Sequence, residues 1–189
     1  MTEELLYLWF GMISRMTHTV KMNVAMKYGG IRGLWNTSEE QLRDELTQAQ
    51  ADGFLEHRDA GKVAAYAEEL RRNDITYIYP GHKLYPGKLY DIPDPPMLLF
   101  AAGDVDVLAN LDPAVAVVGA RKASVYGREA ADRLSGELAA SGVTIVSGMA
   151  LGIDGAAHRA AMKAGGKTVA VLGSGINVPY PRENYDIYH

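Results

Sequence analysis

The stretch 114–127, AVAVVGARKASVYG, decides the fold when it is read with VTIVSGMALGIDGAAH at 143–158 and TVAVLGSG at 168–175. Three short apolar runs, at 114–118, 143–146 and 168–172, each end in a glycine-bearing turn. Short β-branched runs bounded by such turns read as strands buried on both faces. Helical patterns lie between them, over about 127–141 and about 154–164. Strand–helix–strand–helix–strand with short turns predicts a doubly wound, mostly parallel α/β sheet.

In a parallel sheet the turns that follow the strands gather at one edge, where open α/β sheets bind ligands. The turns Gly119-Ala120-Arg121, Ser147-Gly148-Met149 and Gly173-Ser174-Gly175 are therefore expected to face one crevice. Glycine backbone N–H groups and helix N-termini both favour an anion. Arg121 adds a permanently charged fork to the first turn. Together these residues predict a phosphate site.

The remaining composition narrows the chemistry. The chain has 189 residues, 48% of them hydrophobic and 22% charged, as in an ordinary globular protein of one large or two small domains. It has no cysteine, hence no disulfide framework, thiolate or cysteine-based zinc site. No apolar run approaches the roughly 20 residues of a membrane span. The N-terminus, MTEELLYLWFGM, is acidic before it is apolar, unlike a secretory leader, so a cytoplasmic protein is expected. Net charge is −4, unlike a protein coated in nucleic acid, but it is unevenly spread. Residues 1–111 hold 11 Lys and Arg against 16 Asp and Glu, and residues 112–189 hold 8 against 7, which permits a local basic groove in the second part.

Residues 1–73 read as a helical domain of four or five short helices. Leu5, Leu6, Leu8, Trp9, Met12 and Ile13 form one apolar stripe, and Val20, Val24, Ala25 and Met26 a second helix stopped by Gly29-Gly30. Thr37 stands three residues before Glu40 as a capping box for a helix with Leu42 and Leu46. Asp59 caps a longer helix with Val63, Tyr66, Ala67 and Leu70 on one face. Arg15, Lys21 and Lys27 make only a thin basic set, so protein interaction or spacing fits this domain better than DNA contact. Residues 74–189 form the second domain. Its lead-in, 74–111, carries strand-like runs at 75–79 and 97–101 around Pro80, Pro86, Pro93, Pro95 and Pro96. That proline density predicts a stiff, extended connector whose strands add to the edge of the sheet.

Other chemistry is disfavoured. The first turn is Gly-x-Arg, not Gly-x-Gly-x-x-Gly, and the second strand ends in Ser147-Gly148 with no acidic ribose partner, so dinucleotide binding is not expected. There is no P-loop. Asp154 stands where a helix N-cap belongs, with His158 one turn later in an alanine-rich helix, a structural pair rather than an acid–base one. His18, His57, His82 and His189 have no ligand spacing, so no metal or other cofactor is expected. Tyr126, Tyr180 and Tyr185 flank the expected crevice, and Arg182 follows Tyr180-Pro181 near its third turn. Arginines, glycine backbones and stacking tyrosines suit single-stranded nucleic acid. They suit a mononucleotide equally.

The order and spacing of GARKASVYG, SGMALGIDGAAHRAAMKAGGKTVAVLGSG and YPREN over about 70 residues resemble the DNA processing protein A (DprA, or Smf) family, in its N-terminal part. ITYIYPGHKLYPGKLYDIPDPPMLLFAAGD resembles the segment that precedes the family's Rossmann-like core. The helical domain matches in placement the family's sterile-alpha-motif-like domain. The resemblance implies a non-enzymatic recombination mediator. Such a protein binds single-stranded DNA, protects it during natural transformation and loads RecA. It implies a DNA-phosphate pocket of Arg121, Ser147, Gly148, Gly173, Gly175, Arg182 and Asn184, which with Gly119 and Tyr180 make the candidate site. The family's core continues beyond the position of His189 with more strands and the region through which protomers pair, so about half of the family's sheet is expected here and any homodimer would form through regions beyond this chain.

Two other readings compete. A related group, the phosphoribohydrolases, shares the first two turns, but its Pro-Gly-Gly-x-Gly-Thr-x-x-Glu loop is not found in these 189 residues. A role purely in protein interaction through the helical domain is the third.

Overall fold

The computed structural model describes residues 1–13 and 16–188 and divides the chain into two compact units, Met1–Val105 and Asp106–His189. Arg15 and His189, named above, lie outside the described residues. The protein is mixed α/β, with a helical N-terminal region and a three-stranded parallel sheet. No helix among the described residues is long and apolar enough to cross a membrane.

The first unit contains α1 (Glu3–Met12), α2 (His18–Lys27), α3 (Ile31–Asn36), α4 (Glu39–Glu45), α5 (Gln48–Glu56) and α6 (Ala60–Arg72). Short polar residues start most of them. The side chains of Thr2, Thr17, Ser38, Thr47 and Asp59 each accept the backbone N–H three residues on. The expected cap at Thr37 is corrected to Ser38, because Thr37 closes α3 by donating its hydroxyl to Gly33 O at 2.9 Å. The reciprocal capping box is at Thr47 and Gln50 instead. Leu8, Trp9, Phe10, Leu34, Leu42, Phe54 and Val63 are fully buried in one core. The Trp9 and Trp35 rings meet edge to face, 4.9 Å between centroids. Two readings of the apolar stripes change. Phe10 joins the core, and Met26 points into solvent at 69% exposure. The Lys21 ammonium closes the C-terminal end of α1 by donating to Phe10 O at 3.2 Å and Ile13 O at 2.9 Å.

The lead-in does not extend the parallel sheet. Its strands β1 (Thr76–Ile78) and β2 (Leu99–Ala101) pair with each other, antiparallel, with Tyr77 opposite Phe100. Ile75, Tyr77, Met97 and Leu98 pack on the helical core, so apolar burial holds this ribbon in the first unit. The segment between the strands is braced rather than simply extended. Tyr85 donates its hydroxyl to Pro96 O at 2.9 Å, the Tyr90 hydroxyl accepts Gly81 N–H at 2.8 Å, and a 3-10 turn spans Gly87–Asp91.

The second unit runs β3 (Ala114–Ala116), α7 (Val125–Ala140), β4 (Thr144–Ser147), α8 (Ile153–Lys163) and β5 (Thr168–Ala170), then a 3-10 turn Arg182–Asn184 and α9 (Tyr185–Tyr188). The strands are parallel in the order β3-β4-β5, with Val115 beside Ile145 and Val146 beside Val169. Right-handed crossovers in that order put both helices on one face. There α7 and α8 pack on each other and on β4, and Ala139, Ile145, Ala157 and Ala161 form the core. Burial on both faces, expected of the strands, holds for β4 but not for β3 or β5. Beyond the strand ends, Val118 and Val171 are 83% and 63% exposed.

Candidate functional site

Each strand of the parallel sheet delivers its chain into a turn at the same edge, and the first two turns interlock. Gly152, at φ +81°, allows the turn after β4 to lie on the turn after β3. A Cβ there would sit 2.3 Å from Ala120 O and 2.6 Å from Arg121 O. Gly119 answers from the other side, where a Cβ would meet Ile153 Cγ1 at 2.5 Å. Ile153 N–H donates to Ala120 O at 3.3 Å. The first glycine of the Gly-x-Arg turn is thus required for helix–turn packing, and Arg121 is left exposed at its tip.

The second turn is organised by Asp154. The expected N-cap role is corrected. Gly152 occupies the cap position of α8, and Asp154 lies inside the first turn. Its carboxylate reaches back into the preceding loop, where Oδ2 accepts Gly148 N–H and Ala150 N–H, each at 3.2 Å. Met149 between them holds φ +60°. The Asp154 side chain is buried, so it serves this loop and not solvent. The Ser147 hydroxyl is also engaged, donating to Val117 O at 2.6 Å beneath the sheet edge.

His158 stands one turn after Asp154 on α8, fully buried. The Thr168 hydroxyl donates its single hydrogen to Ile145 O at 2.9 Å. It therefore accepts from His158 Nδ1, 2.6 Å away, which places the imidazole proton on Nδ1. Nε2 is buried without a partner among the described residues. Burial pushes the His158 pKa down, Asp154 opposes this and Arg159 adds to it. The residue braces α8 on β5.

The first and third turns keep their donors. Among the described residues, the backbone N–H groups of Gly119, Ala120, Arg121, Gly173, Ser174 and Gly175 make no hydrogen bond. A Cβ on Gly173 would meet nothing within 4 Å, so that glycine borders open space. After this turn Ser174 Oγ donates to Val178 O at 3.2 Å and Val178 N–H to Gly175 O at 2.8 Å. The chain then reaches Tyr180, 65% exposed, a cis Tyr180–Pro181 bond, and Arg182, which is exposed. Neither Arg121 nor Arg182 forms an ion pair among the described residues. Tyr126, on the first turn of α7, is 80% exposed.

Asn184 takes a different place from its neighbours. It is buried, its amide donates to Met149 O at 2.8 Å and Ala150 O at 2.9 Å, and its Oδ1 accepts from Arg159 at 3.1 Å. The candidate residues thus fall into two groups. Gly119, Arg121, Gly173, Gly175, Tyr180 and Arg182 are exposed, and the N–H of Gly119 is unengaged among the described residues. Ser147, Gly148 and Asn184 use the polar groups described above on the protein itself. Sequence reasoning overlooked Arg159 and Gly152. Gly152 was detectable as a glycine immediately before a helical pattern. Arg159 carried no local signal, since its partners lie more than 20 positions away.

Known proteins are similar to this chain in sequence and fold. Residues 76–189 match the family model described as DNA recombination-mediator protein A. The chain is 40% identical over 125 residues to the DNA processing protein DprA of Bacillus subtilis, covering 66% of this chain and 40% of the relative. It is 42% identical over 135 residues to the protein Smf of Escherichia coli, covering 67% of this chain and 36% of that one. The matched stretch is thus well under half the length of these relatives. Among solved structures, DNA processing protein A of Streptococcus pneumoniae superposes with a TM-score of 0.69 at 28% identity, over 96% of this chain and 61% of that one. The Helicobacter pylori DNA processing protein A, whose structure is described as giving insights into its single-stranded DNA binding mode, gives 0.53 at 29% identity, over 60% of this chain and 49% of that one.

Proposed function

Since the chain belongs to the DNA recombination-mediator protein A family, we propose that the edge of its parallel sheet binds the phosphates of single-stranded DNA, and that it does so without catalysis. One observation carries this reading. Two turns keep their backbone N–H groups unengaged, one of them carrying Arg121, and neither exposed Arg121 nor exposed Arg182 has an ion-pair partner among the described residues. Backbone donors and guanidinium forks suit a phosphate oxygen. The exposed rings of Tyr126 and Tyr180 offer faces on which unstacked bases can lie, worth about 1–3 kcal/mol per base. Duplex bases are already stacked and cannot use them.

The wider role follows the family. The protein acts in the cytoplasm on DNA taken up during transformation, shields the single strand and passes it to RecA for recombination. A homodimer is part of this role. The single-stranded DNA named for the Helicobacter pylori structure supports the choice of a strand over a mononucleotide.

The test is binding to labelled single- and double-stranded oligonucleotides of one sequence. The expected result is retention of the single strand at protein concentrations that leave the duplex free. Equal binding to both, or release of free base from a nucleoside monophosphate, would overturn the proposal.

A further inference from the structure

Among the described residues of the second unit, Arg159 is the most heavily engaged side chain, and its partners lie in the segment after the third turn. Its guanidinium forms a two-pronged ion pair with Asp186, with Nε to Oδ2 and Nη2 to Oδ1 both at 2.7 Å. The same Nη2 donates to Glu183 O at 2.7 Å and to Asn184 Oδ1 at 3.1 Å. This pairing raises the pKa of Arg159 and holds the Asp186 carboxyl below its ordinary range. Gly155, one turn earlier on α8, makes room. A Cβ there would lie 2.7 Å from Asn184 Oδ1 and 3.0 Å from Arg159 Nη1. Asn184 continues the chain of contacts to Met149 O and Ala150 O, and the Tyr188 hydroxyl donates to Ile176 O.

We infer that Arg159 is a positioning residue for the DNA site, clamping segment 183–186 against α8 so that the neighbouring Arg182 is held with its side chain free to meet a phosphate. The inference rests on the function proposed above. The clamp grips Glu183, Asn184 and Asp186, so the adjacent Arg182 has its backbone fixed while its side chain stays exposed. A flexible arginine would lose conformational freedom on each phosphate contact. One whose backbone is already held loses less. Planar, two-pronged geometry is needed on a helix surface, which lysine does not supply.

The experiment compares Arg159→Ala, Asp186→Asn, Arg182→Ala and the Arg159→Ala/Arg182→Ala double variant in binding to a labelled oligothymidylate over a range of salt. Arg159→Ala and Asp186→Asn should each reduce the slope of log K against log salt by about 0.7, the value of one single-strand phosphate contact. The double variant should bind no more weakly than Arg182→Ala. Amide exchange over 182–188 should quicken in both clamp variants while α7 and β4 remain protected. The Asp186→Asn change, on an exposed side chain, keeps the test valid if the arginine variant folds poorly. If Arg182→Ala weakens binding and the clamp variants do not, or if the effects of Arg159 and Arg182 add in full, the positioning role is wrong. If Arg182→Ala itself leaves binding unchanged, the proposed DNA site falls, and the exchange data show separately whether Arg159 holds the segment.

Discussion

Asp154 Oδ2 and Gly148 N lie 3.2 Å apart, and that contact divides the three glycine turns into one that is closed by the protein and two that are open. The same oxygen takes the Ala150 N–H, so the carboxylate occupies both donors of that turn. An acidic group that engages the N–H groups of its own turn leaves unengaged N–H groups in the turns on either side, where Arg121 and the open Gly173 border lie.

Replacing Asp154 with alanine strands both N–H groups. A hydrogen bond to a charged group is worth about 1.5–3 kcal/mol, and because Gly148 is exposed and Ala150 half-buried, solvent takes back part of the loss of two such bonds. Asp154→Ala is therefore expected to lower stability by about 2–4 kcal/mol, read from urea unfolding with the slope unchanged. A loss within 0.5 kcal/mol, the ordinary range for surface changes, would show that the loop holds itself.

Gly152 and Gly173 look alike in the sequence and are expected to behave in opposite ways. Gly152→Ala forces a left-handed φ of +81° on a side chain and drives its Cβ into two carbonyl oxygens. Strain of that kind costs about 1–3 kcal/mol before the clash is added. Gly173→Ala meets open space and should leave the unfolding free energy within about 0.5 kcal/mol. It should weaken single-stranded DNA binding all the same, by placing a methyl group beside the free N–H groups. Thermal unfolding of both variants, with binding measured on the second, checks the pair.

The fold was legible where periodicity and turns agree. Three runs ending in glycine identified β3, β4 and β5, and the helices between them fall within two residues of their expected starts. Partner choice was not legible. Nothing in the composition of β1 and β2 shows that they pair with each other, because that depends on the helical core their apolar residues cover. Local rules also misassigned residues one position apart. Thr37 and Ser38 are both cap formers, and only the path of α3 into α4 decides between them. Among the candidate residues, Arg121, Tyr180 and Arg182 follow the strand turns in the sequence, and all three are exposed. That Ser147 and Asn184 turn inward follows from contacts 30 and 35 positions distant, which no local pattern records.

His158 makes stability depend on pH. Its pKa in the folded protein is lowered from 6.5, chiefly by burial, so the unfolded chain binds more protons as the pH falls. The contribution is fully present above the unfolded value and is lost as the pH falls from there through the lowered folded value, with a slope of at most about 1.4 kcal/mol per pH unit from this one group. Asp154 nearby favours the charged ring and Arg159 opposes it, so both remain unchanged in the comparison. The difference in unfolding free energy between pH 7.5 and pH 5 should shrink in His158→Gln relative to wild type. An identical difference in both proteins would remove the imidazole from the account.

The central claim, that Arg121 and Arg182 neutralise phosphates of a single strand, is tested most directly by salt. Affinity for a labelled oligothymidylate would be measured across a range of salt concentrations for the wild type and for Arg121→Ala/Arg182→Ala. Each lost single-strand phosphate contact should reduce the slope of log K against log salt by about 0.7. The account predicts a drop of about 1.4 together with weaker binding at every salt concentration, and an unchanged slope would contradict it.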